Sequence, residues 1–422
     1  MDAVAPVTAL DLGDLTLPAI WLRDACGCAE CRHPATGQRL VGSARVARQF
    51  PDTAVARHEL TGDTLTVVFA PDGHTGVYDL EWLRGNAPGR AGARAGDRSV
   101  RARVPWAAAD LPAGPPRVAW DAWLRSPVAL ETALAAVTRL GVTMLTEVPC
   151  RPGMVLDVGR GFGYVRATNY GELFDVRIET NPGHLAYTGL ALAPHTDNAY
   201  RDPVPTVQLL HCLRAAGEGG QTALIDGFAA ATRLRERDPA AFDTLTTVWL
   251  PFRHDGPTAV LTSRAPVIAV DDHGAVVAVR WNDRSLQPPD VEPSRLNGVY
   301  RALAAFDELL EAPDLAVSLR LTPGDCLIFD NTRILHARTE FRADPNLDPD
   351  PGGAQGNGGA PGNSVGGRHL QGCYVDMDGL ESTLALLRRD GARASRPRRS
   401  ALPATVVATR KPSARAATAV AS

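Results

Sequence analysis

Two short motifs place metal-binding side chains in the second half of the chain. In ALAPHTDNAYRD, His195 and Asp197 are two residues apart, so on a strand both side chains would leave the same face. A third ligand would complete the two-histidine, one-carboxylate face that holds Fe(II) and leaves positions open for substrates. His336, beyond an apolar strand that follows the Pro323-Gly324 turn, is the candidate. Taken alone, the HxD pair is also compatible with polar residues at a strand end.

The stretch RHLQGCYVD adds a cation to this group. Arg368 opens a strand of period two, and Tyr374 lies on the same face of it, so both side chains are expected to point into one cavity. A buried arginine beside an iron triad suits the distal carboxylate of a dicarboxylic co-substrate, because its planar fork binds carboxylate through two hydrogen bonds. The alternative is an arginine in a surface ion pair, which the neighbouring triad disfavours.

A second group of ligands lies near the N-terminus, in ACGCAECRH. Cys26, Cys28 and Cys31 stand close together in a chain that has 7 cysteines. The sequence carries neither a signal-peptide pattern nor an apolar run of about 18 residues, so we expect a reducing cytoplasm, no membrane span, and metal binding at the cluster rather than disulfides. The other cysteines have apolar neighbours and are expected to be core thiols: Cys150, Cys212, Cys326 and Cys373.

Composition excludes several classes of function. The net charge is -3 and 45% of the residues are hydrophobic, which is typical of a globular protein without a general attraction to nucleic acid. Lys411 is the only lysine, so chemistry that needs a buried lysine, such as a Schiff base or a Walker-type phosphate loop, is disfavoured. The glycine run GRGFG does not match the GxGxxG pattern of nucleotide sites.

The elements that must position these residues divide into two domains. Residues 1–104 predict a small β-rich domain, with strands at 65–70 and 76–83; residues 105–118 predict a linker and 119–390 the second domain. One helix is predicted from Ser126-Pro127 to Gly141, and another over 294–311. The second helix should face the core with six residues: Leu296, Val299, Tyr300, Leu303, Phe306 and Leu310. Many strands with few flanking helices favour a mainly β fold, a sandwich or jelly roll, over a doubly wound sheet.

Two segments of biased composition interrupt this pattern. Residues 343–367 are rich in glycine and proline, so they bury almost nothing and are predicted to be a disordered loop. Residues 391–422 are basic and lack acidic side chains, which predicts a flexible tail. A site for an anionic partner is the alternative for that tail.

These motifs, in this order, resemble a known family. His195-Thr-Asp197, GGQT ending at Thr222, FDNTRILH ending at His336, and RHLQGCY resemble the iron- and 2-oxoglutarate-dependent dioxygenases of the taurine dioxygenase superfamily. WLRDACGCAEC, AYTGLALAPHTDN, VQLLHCL and IDGF narrow the resemblance to the gamma-butyrobetaine and trimethyllysine hydroxylase branch, over roughly residues 15–389. The resemblance implies a double-stranded β-helix (jelly roll) as the catalytic domain, preceded by a small zinc-binding domain, and a homodimer.

The resemblance also assigns roles to residues. It implies that His195, Asp197 and His336 hold Fe(II), and that Arg368, with Thr222, binds 2-oxoglutarate, with ascorbate as a further reductant. It implies a structural zinc held by four residues: Cys26, Cys28, Cys31 and His74. His33 is nearer to the cysteines in sequence but lies outside the family's pattern, so it is the alternative to His74. Four ligands without an open position make a closed tetrahedral site that stabilises a small domain.

The same branch implies a substrate with a trimethylammonium group in an aromatic cage. The matching positions are Tyr170, Phe174, Tyr187 and Tyr374, and the alternative for Tyr170 and Phe174 is simple core packing. Asn282 and Arg284, in RWNDR, are candidates for the acidic end of the substrate. We therefore expect hydroxylation of gamma-butyrobetaine to carnitine, using O2. The alternatives are a trimethylammonium phosphonate, favoured if Arg284 points inward, trimethyllysine, or a non-catalytic zinc-bearing jelly-roll binding module.

Overall fold

The computed structural model of the chain describes residues 6–88, 103–178, 188–256, 258–342 and 367–395. The predicted Gly/Pro loop, apart from Gly367, lies outside the described residues, and so do residues 396–422 of the predicted tail. Residues 391–395, which were also assigned to the tail, continue the last helix to Ser395. Across the described ranges, no helix combines the length and the apolar composition that crossing a bilayer requires.

The N-terminal part is a small α+β unit with its own core. Its elements are β1 (Ala9–Asp11), β2 (Thr16–Pro18), α1 (Ala19–Asp24), α2 (Ser43–Gln49), β3 (Ala54–Thr61), β4 (Thr64–Ala70), β5 (Thr75–Asp79) and α3 (Leu80–Asn86). Strands β3, β4 and β5 form an antiparallel sheet, and β1 pairs with β2. The strand predicted over 76–83 ends earlier, because the Asp79 carboxylate accepts a hydrogen bond from the backbone N–H of Trp82 at 2.8 Å and caps a helix there.

The second part consists of many strands with helices on both sides. Its strands are β6 (Arg117–Ala119), β7 (Val142–Thr146), β8 (Val165–Arg166), β9 (Phe174–Val176), β10 (Leu192–His195), β11 (Val207–Arg214), β12 (Glu218–Gly219), β13 (Thr222–Asp226), β14 (Leu250–Asp255), β15 (Val260–Ala265), β16 (Ile268–Val270), β17 (Val276–Val279), β18 (Ala316–Leu319), β19 (Cys326–Asp330), β20 (Ile334–Arg338), β21 (Phe341–Arg342) and β22 (His369–Val375). Its helices are α4 (Trp120–Arg125), α5 (Pro127–Leu140), α6 (Met154–Arg160), α7 (Gly227–Arg237), α8 (Pro239–Thr247), α9 (Pro293–Leu310) and α10 (Met377–Ser395), with a 3-10 turn at Ala108–Asp110.

The strand order of this part is that of a jelly roll. The major sheet runs β6-β7-β19-β11-β22-β8, with β9 also paired to β22, and the minor sheet runs β10-β20-β13-β18. Strands β9, β11, β19 and β22 belong to the major sheet, and strands β10, β13, β18 and β20 to the minor sheet. Along the chain these strands alternate between the two sheets, except that β13 and β18 both lie in the minor sheet, as expected for a jelly roll. Leu210 and Leu327 from one sheet and Leu224 and Val317 from the other share one core, so the sheets pack face to face. The predicted double-stranded β-helix is confirmed.

Both predicted helices are present. Ser126 caps α5, which has Pro127 in its first turn and ends at Gly141 in the left-handed region, with φ of 80°. Helix α9 begins at Pro293, one residue before the predicted start, and buries Val299 and Phe306. Leu303 and Leu310 are also buried and Leu296 is half-buried. The prediction for Tyr300 was wrong: its side chain is 51% exposed, because it lies one residue, and therefore about 100°, from the buried Val299.

Two further expectations differ from the structure. The stretch predicted as a linker packs against the second domain, since Trp106 is buried in the inter-sheet core and its indole N–H donates to the Leu140 carbonyl at 2.7 Å. Cys212, Cys326 and Cys373 are buried as predicted, whereas Cys150 is exposed in the loop between β7 and α6.

Candidate active site

The three predicted iron ligands converge at one end of the sandwich. His195 ends β10, Asp197 follows two residues later in the loop, and His336 lies in the middle of β20 directly opposite His195. His195 Nε2 lies 3.4 Å from Asp197 Oδ1, and His336 Nε2 lies 3.9 Å from Asp197 Oδ2. Their ligand atoms all lie within 4.8 Å of one another. The sheet pairing brings together residues that are far apart in sequence.

The protonation states of the triad suit a metal ion. His195 Nδ1 lies 2.8 Å from the Ala193 carbonyl, so a proton on Nδ1 leaves the Nε2 lone pair directed at the site. Burial, together with the charges of His195 and Arg284, lowers the pKa of His336 to about 3, so this imidazole is neutral and able to coordinate. Burial alone would raise the pKa of Asp197, but the hydrogen bond with His195 and the surrounding positive charges lower it below its ordinary value. Two imidazoles and one carboxylate are a set of ligands that fits Fe(II).

Gln208 and Asn331, which the sequence analysis did not identify, hold Asp197 in place together with Tyr374. Gln208 Nε2 donates to Asp197 Oδ2 at 2.8 Å, and the Tyr374 hydroxyl donates to the same oxygen at 3.2 Å, which leaves Oδ1 toward His195. Asn331 accepts from the Asp197 backbone N–H at 2.8 Å and donates to its carbonyl at 2.9 Å. Asn331 stands within the FDNTRILH motif, so its place five residues before His336 was the available signal.

A cavity with aromatic walls opens beside the triad. Its lining residues are Tyr170, Phe174, Asp175, Val176, Asp197, Asn198, Tyr200, Asn282, Arg284 and Tyr374. The rings of Phe174 and Tyr374 stack with centroids 5.1 Å apart, and the Tyr170 hydroxyl lies 3.1 Å from that of Tyr200. Three of the four predicted cage residues therefore line one cavity, and Tyr187 lies outside the described residues. Tyr200 is an aromatic wall that the sequence analysis missed.

The same cavity contains buried polar atoms without hydrogen-bond partners. Both side-chain polar atoms of Asn198, Asn282 Oδ1 and Arg284 Nε have none. Asn198 also adopts a φ of 58°, in the left-handed region that non-glycine residues rarely occupy. Burial lowers the pKa of Arg284, while the nearby charge of Asp197 opposes that effect. Because buried polar groups are normally paired, the unpaired donors Asn198 Nδ2 and Arg284 Nε fit an anionic ligand group.

Arg368 and Thr222, predicted to bind the co-substrate, are both buried in the second domain. Arg368 lies immediately before β22, and Thr222 begins β13 directly opposite Arg338 of β20. The guanidinium carbon of Arg368 lies 5.7 Å from the centre of the Phe341 ring. Burial lowers the pKa of Arg368 to about 10, which still leaves this side chain charged at neutral pH. A buried cation of this kind fits the distal carboxylate of a dicarboxylic acid.

A second ligand cluster lies in the N-terminal part. His74 Nε2 is 3.2 Å from Cys26 Sγ and 3.6 Å from the Sγ atoms of both Cys28 and Cys31. A tetrahedral zinc with ordinary bond lengths separates a sulfur and a nitrogen ligand by about 3.6 Å, so the four residues fit such an ion. His33, the alternative ligand, is exposed, and its Nδ1 accepts a hydrogen bond from the Thr36 backbone.

Comparison with known proteins identifies the family. Residues 105–374 match the model of the taurine catabolism dioxygenase TauD, TfdA family. The chain belongs to this family. As a TauD, TfdA family member it is a dioxygenase, and the family supports Fe(II) and 2-oxoglutarate as its metal and co-substrate. Residues 7–88 match a second model, gamma-butyrobetaine hydroxylase-like, N-terminal.

Relatives of this TauD, TfdA family dioxygenase are similar over most of its length. Gamma-butyrobetaine dioxygenase of Pseudomonas sp. (strain AK-1) is 32% identical over 88% of this chain and 90% of its own. Trimethyllysine dioxygenase of Meyerozyma guilliermondii is 29% identical over 87% of this chain and 89% of its own. A solved structure of asparagine oxygenase with Fe(II), 3-hydroxyasparagine and succinate aligns with a TM-score of 0.46 and 21% identity, covering 61% of this chain and 82% of that chain.

Proposed function

We propose that this dioxygenase hydroxylates a trimethylammonium acid, and that gamma-butyrobetaine, which gives carnitine, is the first substrate to test. The observation that carries this proposal is the cavity beside the triad, which is lined both by the aromatic rings of Tyr170, Phe174 and Tyr374 and by residues with unpaired polar atoms. A quaternary ammonium donates no hydrogen bonds, so ring faces attract it without leaving a polar group unpaired. The names of two relatives, gamma-butyrobetaine dioxygenase and trimethyllysine dioxygenase, support the same substrate class.

The protein's own residues would bind and orient the reactants. His195, Asp197 and His336 would hold the iron, while Arg368 and Thr222 would orient 2-oxoglutarate. Held by these residues, iron and 2-oxoglutarate would supply the chemistry of C–H hydroxylation by O2, in which 2-oxoglutarate would be converted to succinate and CO2. Gln208 and Tyr374 keep the Asp197 carboxylate in one orientation through their hydrogen bonds to Oδ2. The protein then has to place one substrate carbon beside the metal, which fixed aromatic walls and a fixed acid-binding end would achieve.

The direct test is a turnover assay in which the protein is mixed with Fe(II), 2-oxoglutarate, ascorbate and the substrate without O2, and the reaction is started by admitting O2. Succinate and hydroxylated product are measured for gamma-butyrobetaine, its neutral isostere with carbon in place of nitrogen, trimethyllysine and a trimethylammonium phosphonate of matched length. We expect stoichiometric succinate and product with a trimethylammonium acid, and poor turnover of the isostere. Absence of succinate with every compound would instead favour the non-catalytic, zinc-bearing binding module. Equal turnover of the neutral isostere would show that the aromatic residues do not select a trimethylammonium group.

A trimethylammonium phosphonate is the second candidate, and Arg284 is the observation that favours it. Arg284 lines the cavity, and its Nε lacks a partner. A doubly charged head group gains more from a buried guanidinium than a carboxylate does.

The variant Arg284→Gln tests whether the substrate carries a carboxylate or a phosphonate head group. We expect its KM for the phosphonate to rise by about 10-fold to 100-fold, the range for one lost charge-assisted hydrogen bond, and its KM for gamma-butyrobetaine to rise less. Arg264→Gln, at an exposed arginine paired with Asp290, is the matched control and should leave both values unchanged. A larger loss for gamma-butyrobetaine than for the phosphonate would remove the second candidate.

Four further proposals concern the molecule beyond this cavity: a zinc site, a homodimer, a location and a division into domains. We propose a structural zinc on Cys26, Cys28, Cys31 and His74, supported by their spacing in the folded domain. We also propose a homodimer, on the family resemblance, and a cytoplasmic location, which suits the free cysteines. The domain division at residues 1–104 and 119–390 is supported by two separate family matches, at 7–88 and 105–374.

A further inference from the structure

Two buried arginines share the interior of the sandwich beside the proposed co-substrate site. Arg338 lies two residues after His336 on β20, so its side chain leaves the same face as the iron ligand. Arg338 and Arg368 are each 6% exposed, and Arg338 stands directly opposite Thr222 in the sheet. Within the described ranges, no carboxylate lies within ion-pair distance of Arg368. Arg338 has no assigned role in the reaction.

Arg338 holds the backbone of residues 188–190, which lead into β10 and its iron ligand His195. Its Nη2 donates to the carbonyls of Thr188 and Leu190, both at 2.7 Å. The carbonyl between them, that of Gly189, accepts from the Phe341 backbone N–H at 3.0 Å. Three successive carbonyls therefore accept hydrogen bonds from two residues, Arg338 and Phe341. We call residues 188–190 the strap.

The Phe341 ring connects the strap to Arg368. The guanidinium carbon of Arg338 lies 4.8 Å from the centre of this ring, and that of Arg368 lies 5.7 Å from it. Two guanidinium groups therefore lie against one buried ring, and their like charges repel each other unless an anion is bound beside them.

We propose that Arg338 is a positioning residue that couples a dicarboxylic acid bound at Arg368 to the order of the strap. The inference rests on the proposed role of Arg368 in binding 2-oxoglutarate. A carboxylate at Arg368 cancels the like charge that acts on Arg338, which strengthens the hold of Arg338 and Phe341 on the strap. Because coupling between two sites is reciprocal, a well-ordered strap in turn tightens binding of the acid.

Hydrogen exchange on the full-length protein tests this coupling. Backbone exchange at residues 188–191 is measured with Fe(II) under anaerobic conditions, with and without 2-oxoglutarate, whose binding is measured separately by calorimetry. In the wild type we expect 2-oxoglutarate to slow exchange at least about 5-fold, the lower end of usual site-to-site coupling. In Arg338→Met the 2-oxoglutarate-dependent slowing should disappear, and Arg338→Lys, which keeps a charged donor, should restore part of it. Arg264→Met should behave as the wild type.

Each outcome has a distinct meaning. Absence of 2-oxoglutarate binding to the wild type overturns both the proposed function and the coupling. Binding without slower exchange at the strap overturns the coupling alone, and so does slowing of equal size in Arg338→Met. A purely structural arginine would change exchange by the same factor with and without 2-oxoglutarate. If Arg338→Met does not fold, the wild type and Arg338→Lys still test the coupling. Slowing of exchange in the wild type that is fully kept in Arg338→Lys would show that the charge at this position carries the coupling. Absence of slowing in both proteins would overturn the coupling.

Discussion

At the residue scale, Tyr374 has two separable tasks. Its ring stacks against Phe174 in the cavity wall, and its hydroxyl donates to Asp197 Oδ2 at 3.2 Å. Tyr374→Phe keeps the ring and removes the hydroxyl, so we expect a lower kcat with a KM for the trimethylammonium substrate close to that of the wild type. Tyr374→Leu removes both, and its KM should rise by about 5-fold to 30-fold, which corresponds to a desolvated cation–π contact. Steady-state kinetics with the charged substrate and its neutral isostere measure both effects; equal KM changes for the two ligands would leave Tyr374 as packing only.

Some residues of the site could not be predicted from motifs, and one physical reason applies to all of them. His195, Asp197 and His336 were predictable because metal chemistry restricts residue type and spacing. Asn198, Tyr200 and Gln208 were not predicted, because their roles depend on which way a loop or strand turns each side chain. The left-handed φ of Asn198 is a property of the folded loop, and asparagine tolerates it with little sequence signal.

At the element scale, the short edge strand β9 carries Phe174 and needs more than its three residues to stay in place. Its Asp175 accepts from Gln371 at 3.0 Å and lies 2.7 Å from His369 Nε2, both on β22. Gly372 allows the Phe174 ring to lie over β22, since a Cβ there would come within 2.3 Å of the ring. The hydrogen bonds of Asp175 and the ring contact of Phe174 therefore fix β9 against β22 through two adjacent residues.

Asp175→Asn tests this attachment. The hydrogen bonds with His369 and Gln371 overcome the effect of burial and lower the pKa of Asp175. A carboxyl whose pKa is lowered in the folded state stabilises above its unfolded pKa, near 4, and loses that contribution as the pH falls through the folded value. We expect Asp175→Asn to lower the free energy of unfolding by about 2 kcal/mol at pH 7, with a smaller difference below about pH 4.

Urea unfolding between about pH 7 and pH 3 measures the difference. Asp255→Asn is the matched control, because its ion pair with Arg253 is exposed and should contribute less than about 1 kcal/mol. A loss in Asp175→Asn that does not change with pH would show that shape rather than charge holds β9. The KM for the substrate should also rise, because Phe174 loses its support.

Sequence patterns predicted elements well where a local signal marks their ends. Helix α5 follows from Ser126, Pro127 and Gly141, which act through contacts within one turn. The pairing of β10 with β20, and of β9 with β22, joins distant parts of the chain and has no local signal. The strand order that makes the site became visible only in the folded protein, although the resemblance implied its class.

At the scale of the whole molecule, the N-terminal part and the second part of the chain have separate cores. The N-terminal core is formed by residues between Leu10 and Ala87, and its buried members do not appear in the other three cores among the described residues. Arg23 of α1 connects the ligand cluster to the turn between β4 and β5, since it donates to Cys31 Sγ at 3.2 Å and to Asp72 at 3.1 Å. Loss of a zinc ion from this cluster should therefore act on the N-terminal domain first.

Ligand variants test this prediction. We expect about one zinc per chain in the purified protein, and Cys28→Ser and His74→Ala should lose it, because a closed four-ligand site tolerates no missing ligand. Both variants should unfold at lower temperature, while their preference among trimethylammonium acids stays that of the wild type, since the cavity lies in the other domain. His33→Ala is the matched control: His33 is exposed and should be dispensable for zinc. Metal analysis after mild chelation, thermal unfolding and the substrate panel measure the three effects. Zinc retained in His74→Ala and lost in His33→Ala would reassign the fourth ligand, and a changed substrate preference in Cys28→Ser would show that the N-terminal domain shapes the active site directly.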